Sequence, residues 1–182
     1  MEQMDRKVLN LEQREDEPSD WRGWASVQKS ALRIEKVCPH IWKGVFLYCA
    51  GNSRFGFLTK DRIVTEPNYT IDYRLVSKVH GLVVIRSFKP YPNNLVLIDL
   101  KTGKELFSDF ACYLQSPRIG KELFAYRLDD PKKVWPDNMK WGILHLSTLE
   151  TVLQPKQFPV DRTTRIEKQL CEELQKMREA KK

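Results

Sequence analysis

From Gly44 onward the apolar residues come in short runs broken by Gly, Pro and Asn, the mark of strands and turns rather than long helices. Three stretches repeat one layout: "GVFLYCAGNSRFGFLTKDRIV" from Gly44, "GLVVIRSFKPYPNNLVLIDLKTGKEL" from Gly81, and "KELFAYRLDDPKKVWPDNMKWGILHLSTLETVL" from Lys121. Each has an apolar strand of about six residues, a turn or loop, and a second apolar strand. A shorter third run follows at 62–64, 104–106 and 151–153. The starts lie 37 and 40 residues apart, within the range of β-repeat periods. The pattern predicts about nine to twelve short, mostly antiparallel strands over 44–158.

After Asp161 the period changes. Ile166, Leu170, Leu174 and Met177 recur at helical spacing and predict one amphipathic helix with a narrow apolar stripe. Asp161, Thr163 or Thr164 can cap its start. The stripe covers one side of something, either the chain's own sheet or a partner. Residues 1–20 show no sustained period and end at Pro18-Ser19-Asp20. They read as a flexible or loosely docked arm. Trp21 and Trp24 open the globular part as expected anchors. The organisation is an acidic arm (1–20), a β-rich repeat body (21–160) and a helix (161–182).

The 182 residues, 41% apolar, suffice for one well-buried core. The net charge of +7 is unevenly spread. Residues 1–20 carry seven acids and three bases, residues 161–182 five acids and seven bases, and the middle 21 bases against 12 acids. A basic body with an acidic arm implies an acidic partner, either nucleic acid or an acidic protein face. No run approaches the roughly 18 apolar residues that a bilayer span needs, and the polar N-terminus lacks the apolar centre of a secretory signal. Cys38, Cys49, Cys112 and Cys171 lie far apart with no C-x-x-C pair, which fits reduced thiols in the cytoplasm.

Two resemblances sharpen the architecture. "IDLKTGKEL" (98–106) resembles the strand-turn-strand signature of PQQ-type β-propeller blades. "RFGFLTKDRIVTEPNY" (54–69) and "KWGILHLSTLETVLQP" (140–155) resemble bacterial WG-type repeats, with Phe55-Gly56 and Trp141-Gly142 as the opening pairs. Ile63-Val64 and Val152-Leu153 stand at the second strand, and Pro67 and Pro155 close the units. The middle unit has Leu95-Val96 where the aromatic-Gly pair should be, and Arg62 stands near the missing hairpin glycine of the first unit. The aromatic is expected to plug the layer between hairpins, and the glycine to admit a second backbone. A closed propeller takes at least four blades of about 40 residues, whereas 44–158 holds 115 positions. The fold expected is mainly β: an open stack of antiparallel hairpins, about three propeller-like units, with a C-terminal amphipathic α-helix.

An enzyme needs a constellation of groups, and none is legible. Cys38 and His40 are separated by Pro39, and Asp129, Asp130 and Asp137 sit in a Pro-flanked loop where acids form turns. No phosphate-binding, dinucleotide-binding or nucleophile-elbow motif occurs. No catalytic residue, metal or cofactor is expected. Arg54, Lys60, Arg62, Arg74, Lys78, Arg86, Lys89, Lys132, Lys133 and Lys140 interleave with Phe55, Tyr69, Tyr73, Phe88, Tyr91, Trp135 and Trp141, the ingredients of single-strand binding. The leading expectation is a non-catalytic cytoplasmic protein-binding module. Resemblance to small bacterial WG-type and propeller-like proteins implies an immunity-type inhibitor that blocks a cognate toxin domain. The alternative is a single-stranded RNA-binding protein. Expected partner contacts are Lys89, Tyr91, Asn93, Lys132, Lys133 and Trp135, on long loops that present aromatics where a turn needs none.

Overall fold

The computed structural model describes residues 18–88, 94–133, 139–158 and 165–180. It is mainly β, built from antiparallel hairpins in open sheets with a C-terminal amphipathic helix. Two compact units are formed, Met1–Lys89 with Val96–Phe107, and Pro90–Leu95 with Ser108–Lys182.

The first sheet has seven strands whose spatial order follows the chain: β1 (Ile34–Trp42), β2 (Val45–Ala50), β3 (Arg54–Leu58), β4 (Tyr69–Ser77), β5 (Leu82–Ser87), β6 (Leu95–Asp99) and β7 (Glu105–Phe110). Short connections between antiparallel neighbours produce this meander. Strand β1 lies upstream of the expected start at Gly44. Its edge is broken by Pro39 and by register shifts, devices that keep an edge from templating further pairing. The two tryptophans before it bear out the anchor reading. Trp21 and Trp24 are buried in a cluster with Val37, Phe46, Tyr48, Ala50 and Leu58. Trp24 lies 4.6 Å from Phe46, centroid to centroid. Ser26, in the short helix α1 (Ala25–Gln28), donates its N–H to the Lys60 carbonyl at 3.1 Å.

The second sheet runs in the order β11 (Thr151–Lys156), β10 (Met139–His145), β9 (Leu123–Asp129), β8 (Cys112–Leu114). With these, ten strands fall between Val45 and Lys156 among the described residues, within the expected range. Helix α2 (Ile166–Glu179) lies on this sheet. Leu170 and Leu174 are buried with Ile119, Ala125, Trp141, Ile143 and Leu153, flanked by Ile166 and Met177. The apolar stripe is therefore spent on the chain's own sheet. Arg165 is the N-cap, in an extended conformation with no side-chain cap. Asp161, Thr163 and Thr164 lie outside the described residues.

Lys156 on β11 pairs with Glu173 on α2, and this hydrogen bond holds the Glu173 carboxyl below the usual carboxylate range. A depressed folded-state pKa gives stability that is present above the unfolded value and lost as pH falls through the folded one. The gap in denaturant midpoint between the parent and Glu173→Gln should therefore close as pH is lowered through about 4. It should be small, as for any partly exposed pair.

Phe55 and Trp141 are both buried, at 5% and 9% exposure. The glycine after each meets a cross-strand tyrosine. Gly56 is opposite Tyr48 and Gly142 opposite Tyr126. A Cβ at Gly56 would stand 2.7 Å from both the Tyr48 ring and the Thr65 carbonyl; one at Gly142 would stand 2.7 Å from the Tyr126 ring and 3.1 Å from the Leu153 carbonyl. The glycine thus admits a second backbone, as expected, and also leaves room for the tyrosine ring across from it. The Tyr48 hydroxyl donates to the Thr65 carbonyl at 3.0 Å. Burial, reinforced by Glu66, raises its pKa far above the usual range, so the phenol stays a donor. In the middle stretch the corresponding pair is Leu95-Val96, and Val96 is fully buried.

Candidate partner-binding surface

The register of the first sheet sorts its basic residues. Tyr73 faces Ile85 and Arg74 faces Val84, and Tyr69 pairs with both Phe55 and Ser87. Alternation along β5 then places Arg86 and Phe88 on the face that carries Arg74. Phe88 continues the ladder through its N–H to the Asn68 carbonyl at 2.8 Å. Arg54, at the start of β3, reaches the same place, its guanidinium 5.6 Å above the Phe88 ring. Arg54, Arg74 and Arg86 are all exposed, with Asp72 as the exposed acid beside them on β4. Phe88 is half exposed, at 50%, where most large apolar side chains of this unit are buried. A cation held over an aromatic ring contributes about 0.5–1 kcal/mol at an exposed site, and so positions both groups without burying either.

The predicted contact residues divide sharply. Lys132 and Lys133 are exposed in the turn after β9, where the Asp130 carboxylate accepts from the Lys132 N–H at 3.0 Å. Asp130 is thus a turn former, and Asp129 pairs with Arg127 at 2.8 Å. Lys89, Tyr91, Asn93, Trp135 and Asp137 lie outside the described residues. Phe88 was not among the expected contacts. It stood only among the aromatics interleaved with the basic residues, and its register on the outward face is what sets it apart from them. Of the other aromatics interleaved with the basic residues, Phe55, Tyr69 and Trp141 are buried and Tyr73 is partly so.

Other clusters are satisfied locally. A shallow groove of about 460 Å³ at the start of α2 is lined by Arg118, Arg165, Glu167, Lys168 and Cys171. Its Glu167 takes Arg118 at 3.9 Å and the Ser116 hydroxyl. The Cys171 thiol donates to the Arg118 carbonyl at 3.5 Å. Cys38 is buried, whereas His40 is exposed with its ring edge towards Phe46. Ser147 lies 2.9 Å from His145 Nδ1 in the exposed β10–β11 turn, a contact that secures the turn beside Thr148 and Glu150. Among the described residues, no group of three or more His, Cys, Asp or Glu is placed to hold a metal ion, and no helix is long and apolar enough to cross a membrane.

No protein-family model and no curated protein matches the chain. Among solved structures it is similar to a crystal structure of the computationally designed Ika8 protein, at a TM-score of 0.34 and 10% sequence identity. The likeness covers 69% of this chain and spans 37% of that chain's length.

Proposed function

We propose that this chain is a non-catalytic protein-binding module that recognises an acidic face of a partner protein. The observation that carries the reading is Phe88, a half-exposed aromatic under the Arg54 guanidinium on a sheet face that also bears Arg74 and Arg86. An aromatic anchor with arginines around it is the composition of an interface hot spot. Lys89, Tyr91, Asn93, Lys132, Lys133 and Trp135, the contact residues expected from the sequence, are proposed as further partner contacts. In its most concrete form the module is an immunity-type inhibitor that covers the active site of a cognate toxin domain in the cytoplasm. The sequence likeness to small WG-type and propeller-like bacterial proteins supports that form.

Single-stranded RNA would need several exposed aromatic faces for its bases. The burial of Phe55, Tyr69 and Trp141 favours a protein ligand instead. Titration of the full chain with unstructured single-stranded RNA at physiological salt tests the choice. The expected result is no sub-micromolar binding. Tight binding whose log affinity falls with log salt at about −0.7 per neutralised phosphate would overturn the reading.

A further inference from the structure

We propose that residues 12–17 of this chain dock on a basic corner formed by two turns of the first sheet. The corner joins residues 39 apart in sequence. In the first turn, the Thr59 N–H donates to the Arg62 carbonyl at 2.9 Å, and the Thr59 hydroxyl accepts from the Asp61 and Arg62 N–H groups. In the second, Asp99 accepts from the Lys101 N–H at 2.8 Å and the Thr102 hydroxyl at 2.9 Å. The turns are held together by the Arg62 guanidinium, which donates to the Lys101 carbonyl, and by the close approach of Gly103 to Val64. Lys60, Arg62, Lys101 and Lys104 are all exposed at this junction. Against them stand Asp61, which is exposed, and Asp99, whose carboxylate is committed to its turn. The corner is net positive.

One acid of the N-terminal segment already sits there. Asp20 pairs with Lys60 at 3.8 Å, and the following Trp21 and Trp24 fix the chain on the same unit. Residues 12–17 read EQREDE, four carboxylates against one arginine, and the run Glu15-Asp16-Glu17 ends three residues before Asp20. Three to eight residues of extended chain reach about 10–26 Å, enough to cross a junction between neighbouring turns. Charge complementarity and the Asp20–Lys60 pair thus select this segment as the occupant. The docking does not depend on what the Phe88 face binds.

Backbone ¹⁵N relaxation of the full chain tests it. In the parent at low salt, the amides of residues 12–17 should be restrained, and raising the salt should free them. Lys101→Glu/Lys104→Glu should free them at low salt, the docked-to-undocked ratio falling up to about fivefold for each exposed pair lost. Adding Glu15→Lys/Glu17→Lys to that variant should restore the restraint. Because all four substitutions are at charged positions outside the core, the amide spectrum of the sheet should be unchanged and reports directly on folding. Free-chain relaxation of residues 12–17 in the parent at low salt would overturn the proposal. So would undiminished restraint in Lys101→Glu/Lys104→Glu.

Discussion

Trp141→Ala and Phe55→Ala should each lower the unfolding free energy by about 3–5 kcal/mol, the cost of removing a buried aromatic from a packed site. The two positions test different sheets. Trp141 shares its cluster with Leu170 and Leu174, so its loss removes the surface on which α2 rests as well as its own buried area. Phe55 is buried on β3, beside the glycine that lies under Tyr48, and its loss leaves a hole in the middle of the meander. Denaturant titration followed by circular dichroism measures both. Midpoints within error of the parent would show that neither residue anchors its hairpin.

Gly103→Ala should cost about 3 kcal/mol, from two separate sources. Gly103 has φ of +76°, in the left-handed region, where an L side chain costs roughly 1–2 kcal/mol. A Cβ there would also fall 1.9 Å from the Val64 carbonyl oxygen, so the turn and the 62–64 segment must separate, at the 1–3 kcal/mol typical of overpacking. Gly103→Asn separates the two sources. Asparagine tolerates the left-handed conformation better than alanine, yet it carries the same Cβ. If the close approach dominates, asparagine should be as damaging as alanine in a thermal melt; recovery with asparagine would assign the cost to φ alone.

How far the sequence foretells this structure differs between elements. Strands β2, β5, β6, β9 and β10 are dense apolar runs with turn residues on both sides, and the stripe of α2 has a clean helical period. Those signals are local and survive into the fold. Strand β1 escapes the same reading because Pro39, exposed Glu35 and His40, and repeated register shifts break its alternation. The 62–64 run, expected as a strand, is a single bridge from Ile63 to Leu58, because the chain turns back on β3 within four residues of its end. Contacts between turns are not locally encoded at all. Nothing near Arg62 announces the Lys101 carbonyl, and nothing near Gly103 announces Val64. The candidate surface was legible as a mixture of basic and aromatic residues. Which aromatics are exposed is a matter of register, and register separates Phe88 from Phe55 and Tyr69.

The composition of the complex captured by the full chain, compared with that captured by Phe88→Ala, tests the protein-binding reading most directly. Phe88 is half exposed, so its truncation should leave stability within about 0.5 kcal/mol while removing a hot spot that contributes about 2 kcal/mol, near thirtyfold in affinity. The expected result is one protein in 1:1 ratio with the parent chain, resistant to nuclease and lost from Phe88→Ala. Capture of nucleic acid by the parent, or an equal yield of the same protein by Phe88→Ala, would contradict it.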